Sequence, residues 1–161
     1  MVEQETFDKK DLKLIAELAE NARKKFTDLA KELNISNVAV RKRLEKLEKR
    51  GVIKGYRLVV DPAALGYGAI ALVGLNVSPD KILTVTREVV KRDDIVFAAV
   101  TSGDHDVIIE IWAKNTEELL RKLEELGRID GVEKIYPAII NEVIKEYSSI
   151  PKELVKKARD G

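Results

Sequence analysis

The chain contains no cysteine, one histidine, one tryptophan and one methionine, and only 5% of its residues are aromatic. Without cysteine there are no disulfides, no thiolate nucleophile and no sulfur-bound metal. The single histidine, His105, leaves little material for general acid–base work. Two nearby carboxylates and one imidazole are also too few ligands for a metal site. No Ser/His/Asp set, glycine-rich phosphate loop or paired glutamate arrangement stands out, so neither catalytic residues nor a cofactor are assigned. No apolar run approaches the roughly 18–20 residues that span a bilayer, and the opening MVEQETFDKK lacks the apolar core of a secretory leader. A soluble protein of the cytoplasm, with no membrane partner, is expected.

What is present is charge. Lys, Arg, Asp and Glu make up 35% of the 161 residues, and the formal net charge of +1 hides a division. Residues 1–60 hold 15 Lys and Arg against 10 Asp and Glu, a net of +5, whereas residues 61–161 hold 14 against 18, a net of −4. A basic front and an acidic back suggest two modules with different partners. Abundant Lys and Glu, with one Gln and one Met, match a heat-adapted composition.

The first module reads as three helices. Asp8 opens an amphipathic helix in which Leu12, Ile15, Leu18 and Ala19 recur at spacings of three and four, ending near Asn21. Thr27 offers an N-cap to TDLAKEL, Asn34-Ile35 breaks that helix, and Ser36 caps a third. The third helix turns Val40, Leu44 and Leu47 to one side. In the 36–58 stretch Lys or Arg stands at 41, 42, 43, 46, 49, 50, 54 and 57, opposed only by Glu45 and Glu48. Gly51 suits a left-handed C-cap, the Lys54-Gly55 pair a turn, and Tyr56 to Val60 a wing strand. The order is that of a winged helix-turn-helix, whose cationic third helix fits the major groove of double-stranded DNA. The DNA-contact candidates are Thr27, Ser36, Asn37, Val38, Ala39, Arg41, Lys42, Arg43, Lys46, Lys49, Lys54 and Arg57. Asn pairs with adenine, Arg with guanine, and Val38 methyls with a thymine methyl.

After DPAALGYG (61–68), a linker rich in turn formers, the pattern becomes strand, helix, strand, strand, helix, strand. The strands are 69–77, 95–102, 107–113 and one opening at Val132 that carries Pro137 at an edge or bulge. Ser78-Pro79 and Asn115 with Glu118 mark the helix starts, and the helices run to about Arg92 and Gly127. This βαββαβ order is the ferredoxin-like unit. Its helices cover one sheet face, yet Val107, Ile109 and Ile111 alternate with Ile108 and Trp112, so the uncovered face calls for another chain. A homodimer at least is expected. GDHD (103–106) falls at the hairpin between the second and third strands, and on residues alone it is an ordinary turn.

These features together resemble the Lrp/AsnC, or feast/famine, transcription regulators of bacteria and archaea. The resemblance runs over about residues 7–147. It is carried by FDKKDLKLIAELAENAR, LAKELNIS, VRKRLEKLEKRGVIKGYRLVVDPAALG and SGDHDVII. It implies an α+β chain with a winged helix-turn-helix at 1–60, a linker at 61–68 and a ferredoxin-like effector and oligomerisation domain at 69–150. It further implies dimers that assemble into higher oligomers, a small effector, usually an amino acid, and a heat-adapted archaeal source. By the resemblance Gly103, Asp104, His105 and Asp106 become an effector loop. The tail at 151–161 lies past the family core, either as a short helix packed through Leu154 and Val155 or as a mobile end. Two alternatives share the fold: a metabolite-sensing oligomer with weak architectural DNA binding, and a sirohaem-decarboxylase-like enzyme, which the lone His105 and the cationic third helix disfavour.

Overall fold

A computed structural model describes residues 7–160. Residues 1–6 and Gly161, which the expected first domain and tail include, lie outside the described residues. The chain divides into two compact units, Met1–Leu58 with Lys145–Gly161, and Val59–Ile144.

In the first unit α1 (Lys9–Glu20), α2 (Phe26–Leu33) and α3 (Asn37–Lys49) follow one another, and α6 (Lys152–Asp160) joins them from the far end of the chain. Asp8 caps α1 by accepting the Asp11 N–H at 2.8 Å, and Ser36 caps α3 through the Ala39 N–H at 3.1 Å. Thr27 is not the cap of α2: the cap position is Lys25, without a side-chain bond, and Thr27 sits inside the first turn. Asn34, at φ 51°, ends α2 in the left-handed region and turns the chain into α3. Leu14, Leu18, Leu29, Leu33, Val40, Leu44 and Leu47 form the shared core. At the end of α3 the Gly51 and Val52 N–H groups return to the Glu48 and Leu47 carbonyls, with Gly51 at φ 68°. Tyr56 to Val60, expected as a wing strand, are not in a strand. A strand needs a laddered neighbour, and none pairs with this segment among the described residues. Its side chains are exposed, Leu58 by 85%.

The tail is neither separate nor loose. Val155 and Ala158 of α6 close over Ala16 of α1, which becomes fully buried, with Leu12 and Ile150 packed beside them. Arg159 reaches Glu20 at 2.6 Å and Glu17 at 3.2 Å. The reason is α1 itself, whose Leu12 and Ala16 form a second apolar stripe that α2 and α3 leave uncovered. Charge follows the same division. With its tail the first unit carries 20 Lys and Arg against 13 Asp and Glu, a net of +7, and the second carries 9 against 15, a net of −6.

In the second unit β1 (Ala69–Val77), β2 (Ile95–Val100), β3 (Val107–Ala113) and β4 (Val132–Ile139) form one antiparallel sheet in the order β2-β3-β1-β4. The linker before β1 contains a short 3-10 turn at Ala63–Leu65. The helices are α4 (Ile82–Val89) and α5 (Thr116–Gly127). Asn115 caps α5 by accepting the Glu118 N–H. Ser78 stands at the cap position of a 3-10 turn, Pro79–Lys81, that precedes α4, but its hydroxyl makes no cap bond and donates to Glu133. Ala71, Val73 and Leu75 of β1 and Val107, Ile109 and Ile111 of β3 are completely buried against Val85, Val89, Leu119 and Leu126. Each buried Val, Leu or Ile among them contributes about 1.5–3 kcal/mol relative to being exposed. Pro137 lies on β4, an edge strand that tolerates a missing donor. The alternate residues Ile70, Leu72, Ile108 and Trp112 point to the other face, which no helix among the described residues of this unit covers.

Candidate nucleic-acid interface and effector turn

The third helix sorts its residues by face. Val40, Leu44 and Leu47 are buried, so Asn37, Val38, Arg41, Lys42, Lys46 and Lys49 are exposed on the remaining arc. Val38 is 62% exposed, which leaves its methyls open to a partner surface. Ala39 is half-buried and Ser36 commits its hydroxyl oxygen to the cap. Among the described residues no carboxylate pairs with Lys42, Lys46 or Lys49, which leaves a cationic surface. Thr27, exposed in the first turn of α2, borders the same shallow cleft as Ser36 and Asn37. Lys54 and Arg57 are exposed in the segment after α3.

Two of the arginines have internal work. Arg43 lies 2.6 Å from both Asp8 and Asp11, so its guanidinium ties α3 to the start of α1. Burial pushes the Asp8 carboxyl up, but the Asp11 N–H and Arg43 outweigh it and hold the group below its ordinary value. Arg41 lies over the Phe26 ring, 5.5 Å from its centroid, which aims it from the flank of the helix. Sequence reasoning missed these partners, since Asp8 and Asp11 stand more than thirty residues from Arg43.

In the second unit Gly103 to Asp106 do come together in the turn between β2 and β3. Gly103 adopts φ 135°, a conformation that favours glycine. Asp104 is exposed. Asp106 is turned inward: its carboxylate accepts the Val77 N–H at 2.8 Å, and its own N–H donates to the Leu75 carbonyl. Beyond Leu75 strand β3 has run out of backbone to pair with β1, and the Asp106 side chain supplies the missing acceptor. Thr101 closes the turn by donating its hydroxyl to the His105 carbonyl at 2.6 Å.

The His105 ring lies on the uncovered face of the sheet, directly over Gly74. A Cβ placed at Gly74 would clash with Cδ2, Cγ and Nε2 of that ring. Nδ1 of His105 is 3.0 Å from Asn76 Oδ1, and the Tyr136 ring lies against it with centroids 4.8 Å apart. Gly74, Asn76 and Tyr136 were absent from the sequence-based candidates. A glycine inside an otherwise apolar strand was the available signal, because such a position weakens a strand unless something approaches it closely. Among the described residues no group of His, Asp and Glu is arranged to hold a metal, and no helix is long and apolar enough to cross a membrane.

Both halves of the chain are similar to known proteins. The profile of winged helix-turn-helix DNA-binding domains matches residues 7–54. The profile of the Lrp/AsnC ligand binding domain matches residues 70–150. The chain is 37% identical over 139 residues to the HTH-type transcriptional regulator LrpA of Pyrococcus horikoshii, covering 86% of this chain and 99% of the relative. Among solved structures, AsnC of E. coli superimposes with a TM-score of 0.80 at 23% identity, over 89% of this chain and 97% of the other. A transcriptional regulator of Neisseria meningitidis, solved as a complex with L-Met, gives 0.83 at 22% identity, over 91% and 97%. At those identities the two structures show a shared fold.

Proposed function

The chain belongs to the Lrp/AsnC family of transcriptional regulators, and on that premise we propose that it reads operator DNA through the exposed arc of α3 while a small effector at the β2–β3 turn adjusts its assembly. It is a DNA-binding regulator and not an enzyme, and it works in the cytoplasm, where the DNA is. The observation that carries the DNA reading is the division of α3: Val40, Leu44 and Leu47 are inside, and Asn37, Val38, Arg41, Lys42, Lys46 and Lys49 are outside. The first four of these outer residues stand near the N-terminal end of the helix, the part that reaches base edges. Lys46 and Lys49 supply phosphate contacts. Arg43, held by Asp8 and Asp11, positions the helix. The modules are 1–60, the linker 61–68 and the effector domain 69–150, with the tail helix serving the first of them.

The uncovered sheet face carries Ile70, Leu72, Ile108 and Trp112, and a second copy covers it. Higher oligomers follow from the dimer, and the effector is an amino acid. Exposed Asp104 takes its ammonium, and backbone N–H groups near Gly103 its carboxylate. Asp106, already bound to Val77, shapes the turn.

Selection of binding sites from random DNA at about 150 mM salt tests the reading. A pseudo-palindrome should emerge, with half-sites about 34–36 Å apart. Recovery of no preferred sequence would leave a weak, architectural DNA binder.

A further inference from the structure

We propose that His105 is a positioning residue that joins the effector turn to the association face, locked there by the absence of a side chain at Gly74. The inference rests on the reading of residues 103–106 as an effector turn.

Three observations carry it. Gly74 lies in the middle of β1, between Leu72 and Asn76 on the uncovered face, and no turn or positive φ requires glycine there. The ring of His105 occupies the volume that any other residue at 74 would claim. The ring is also gripped from two strands, by Asn76 of β1 at Nδ1 and by the Tyr136 ring of β4.

The main chain of the same residue is equally constrained. Its carbonyl accepts the Thr101 hydroxyl, and the next N–H, that of Asp106, donates to Leu75. Asp104, which faces solvent, is therefore one peptide away from a side chain seated on the sheet. A ligand that pulls on Asp104 or Gly103 moves the turn only by moving the His105 ring. That ring forms part of the surface that a second copy would cover, beside Ile108 and Tyr136. Packed faces respond to such shifts by changing between discrete arrangements, so a small displacement at the turn becomes a change in association.

The single histidine makes the test direct, because its ring carbon and nitrogen signals can be followed by NMR without assignment. The full chain is titrated with each proteinogenic amino acid in turn, at millimolar concentration, while ring signals and light-scattering mass are recorded. In the wild type a binding amino acid should shift the ring signal and the mass together. In Gly74→Ala the ring signal should sit at the position of a solvated imidazole before any ligand is added. Binding should then weaken about tenfold or more, and the mass should no longer respond. Circular dichroism should show the fold retained. In a His105→Ala background Gly74→Ala should add no further loss, as expected for two residues acting through one contact.

A ligand that binds and changes the mass while the ring signal stays still would overturn the lock and leave the effector reading standing. A Gly74→Ala chain with wild-type ring signal and response would overturn it too. If no amino acid binds the wild type, the effector reading fails. The lock is then judged by dilution alone: a ring signal unchanged between low and high oligomer would sink it.

Discussion

Arg43 Nη1 lies 2.6 Å from Asp11 Oδ1, and this contact separates two neighbouring cations that look equivalent in the sequence. Asp11 keeps only 8% of its side chain exposed. Arg43→Ala would strand that carboxylate, at a cost of about 1–3 kcal/mol, between the values for exposed and buried pairs. Lys42→Ala touches nothing inside the unit. Thermal melting should therefore fall for Arg43→Ala and stay put for Lys42→Ala. DNA binding by Lys42→Ala should weaken with a flatter salt dependence, or with altered sequence preference if Lys42 meets a base. Equal melting points for the two variants would contradict the assignment.

Acid should unfold the protein through its depressed carboxyls, Glu17 and Asp94 alongside Asp8. Burial pushes the Glu17 carboxyl up, but hydrogen bonds from Lys24 and Arg159 outweigh it and hold the group below its ordinary value. Burial likewise pushes Asp94 up, and Arg92 with Lys122 holds it down. A depressed carboxyl stabilises the fold above its unfolded value and ceases to do so as pH falls through its folded value. The melting temperature should be level between about pH 7 and 5 and decline below about pH 4. Glu17→Gln should start lower at neutral pH and lose less on acidification. A parallel decline in both proteins would remove Glu17 from the account.

Deleting residues 151–161 should damage the DNA-binding unit and spare the effector domain. Val155 and Ala158 would leave Ala16 uncovered, at a cost of about 1.5–3 kcal/mol for the valine alone. Hydrogen exchange should show faster amides in α1 and unchanged amides in β1 and β3. Unchanged protection in α1 would mean that α6 rests on it without contributing.

Trp112 faces the uncovered side of the sheet, beside Tyr67 at 5.6 Å between centroids and donating to Glu110 at 2.7 Å. Trp112→Glu would bury an unpaired charge in a self-association surface, a change that costs several kcal/mol, on the order of 3–5. Light scattering should report smaller species with the fold intact. A wild-type mass would place the contact between copies on another surface.

Much of this organisation was legible in the sequence because it is local. Period and caps located α1, α3 and α5: Asp8, Ser36 and Asn115 each bond the N–H three residues on. The strict alternation of Val107 to Trp112 revealed a two-faced strand. What stayed hidden depends on partners distant in the chain. Thr27 has the chemistry of a cap, but the turn after α1 lets α2 begin at Phe26. Tyr56 to Val60 have strand composition and no strand beside them. Arg43 joined the DNA candidates by charge alone, and only the packing of α1 on α3 supplies its carboxylates. Asp106 looked like an open acceptor until the register of β3 on β1 placed a spare N–H against it.

The docking of α6 on α1 also bears on how the protein comes into being. α1 is among the first elements to leave the ribosome, and its cover is made only after all four strands of the sheet. At elongation rates of about 5–20 residues per second, the two are separated by on the order of ten seconds. Throughout that interval Ala16 and Leu12 are open to water, and Glu17 and Glu20 wait for Arg159. A nascent chain therefore holds one side of α1 uncovered until the whole sheet domain has been synthesised.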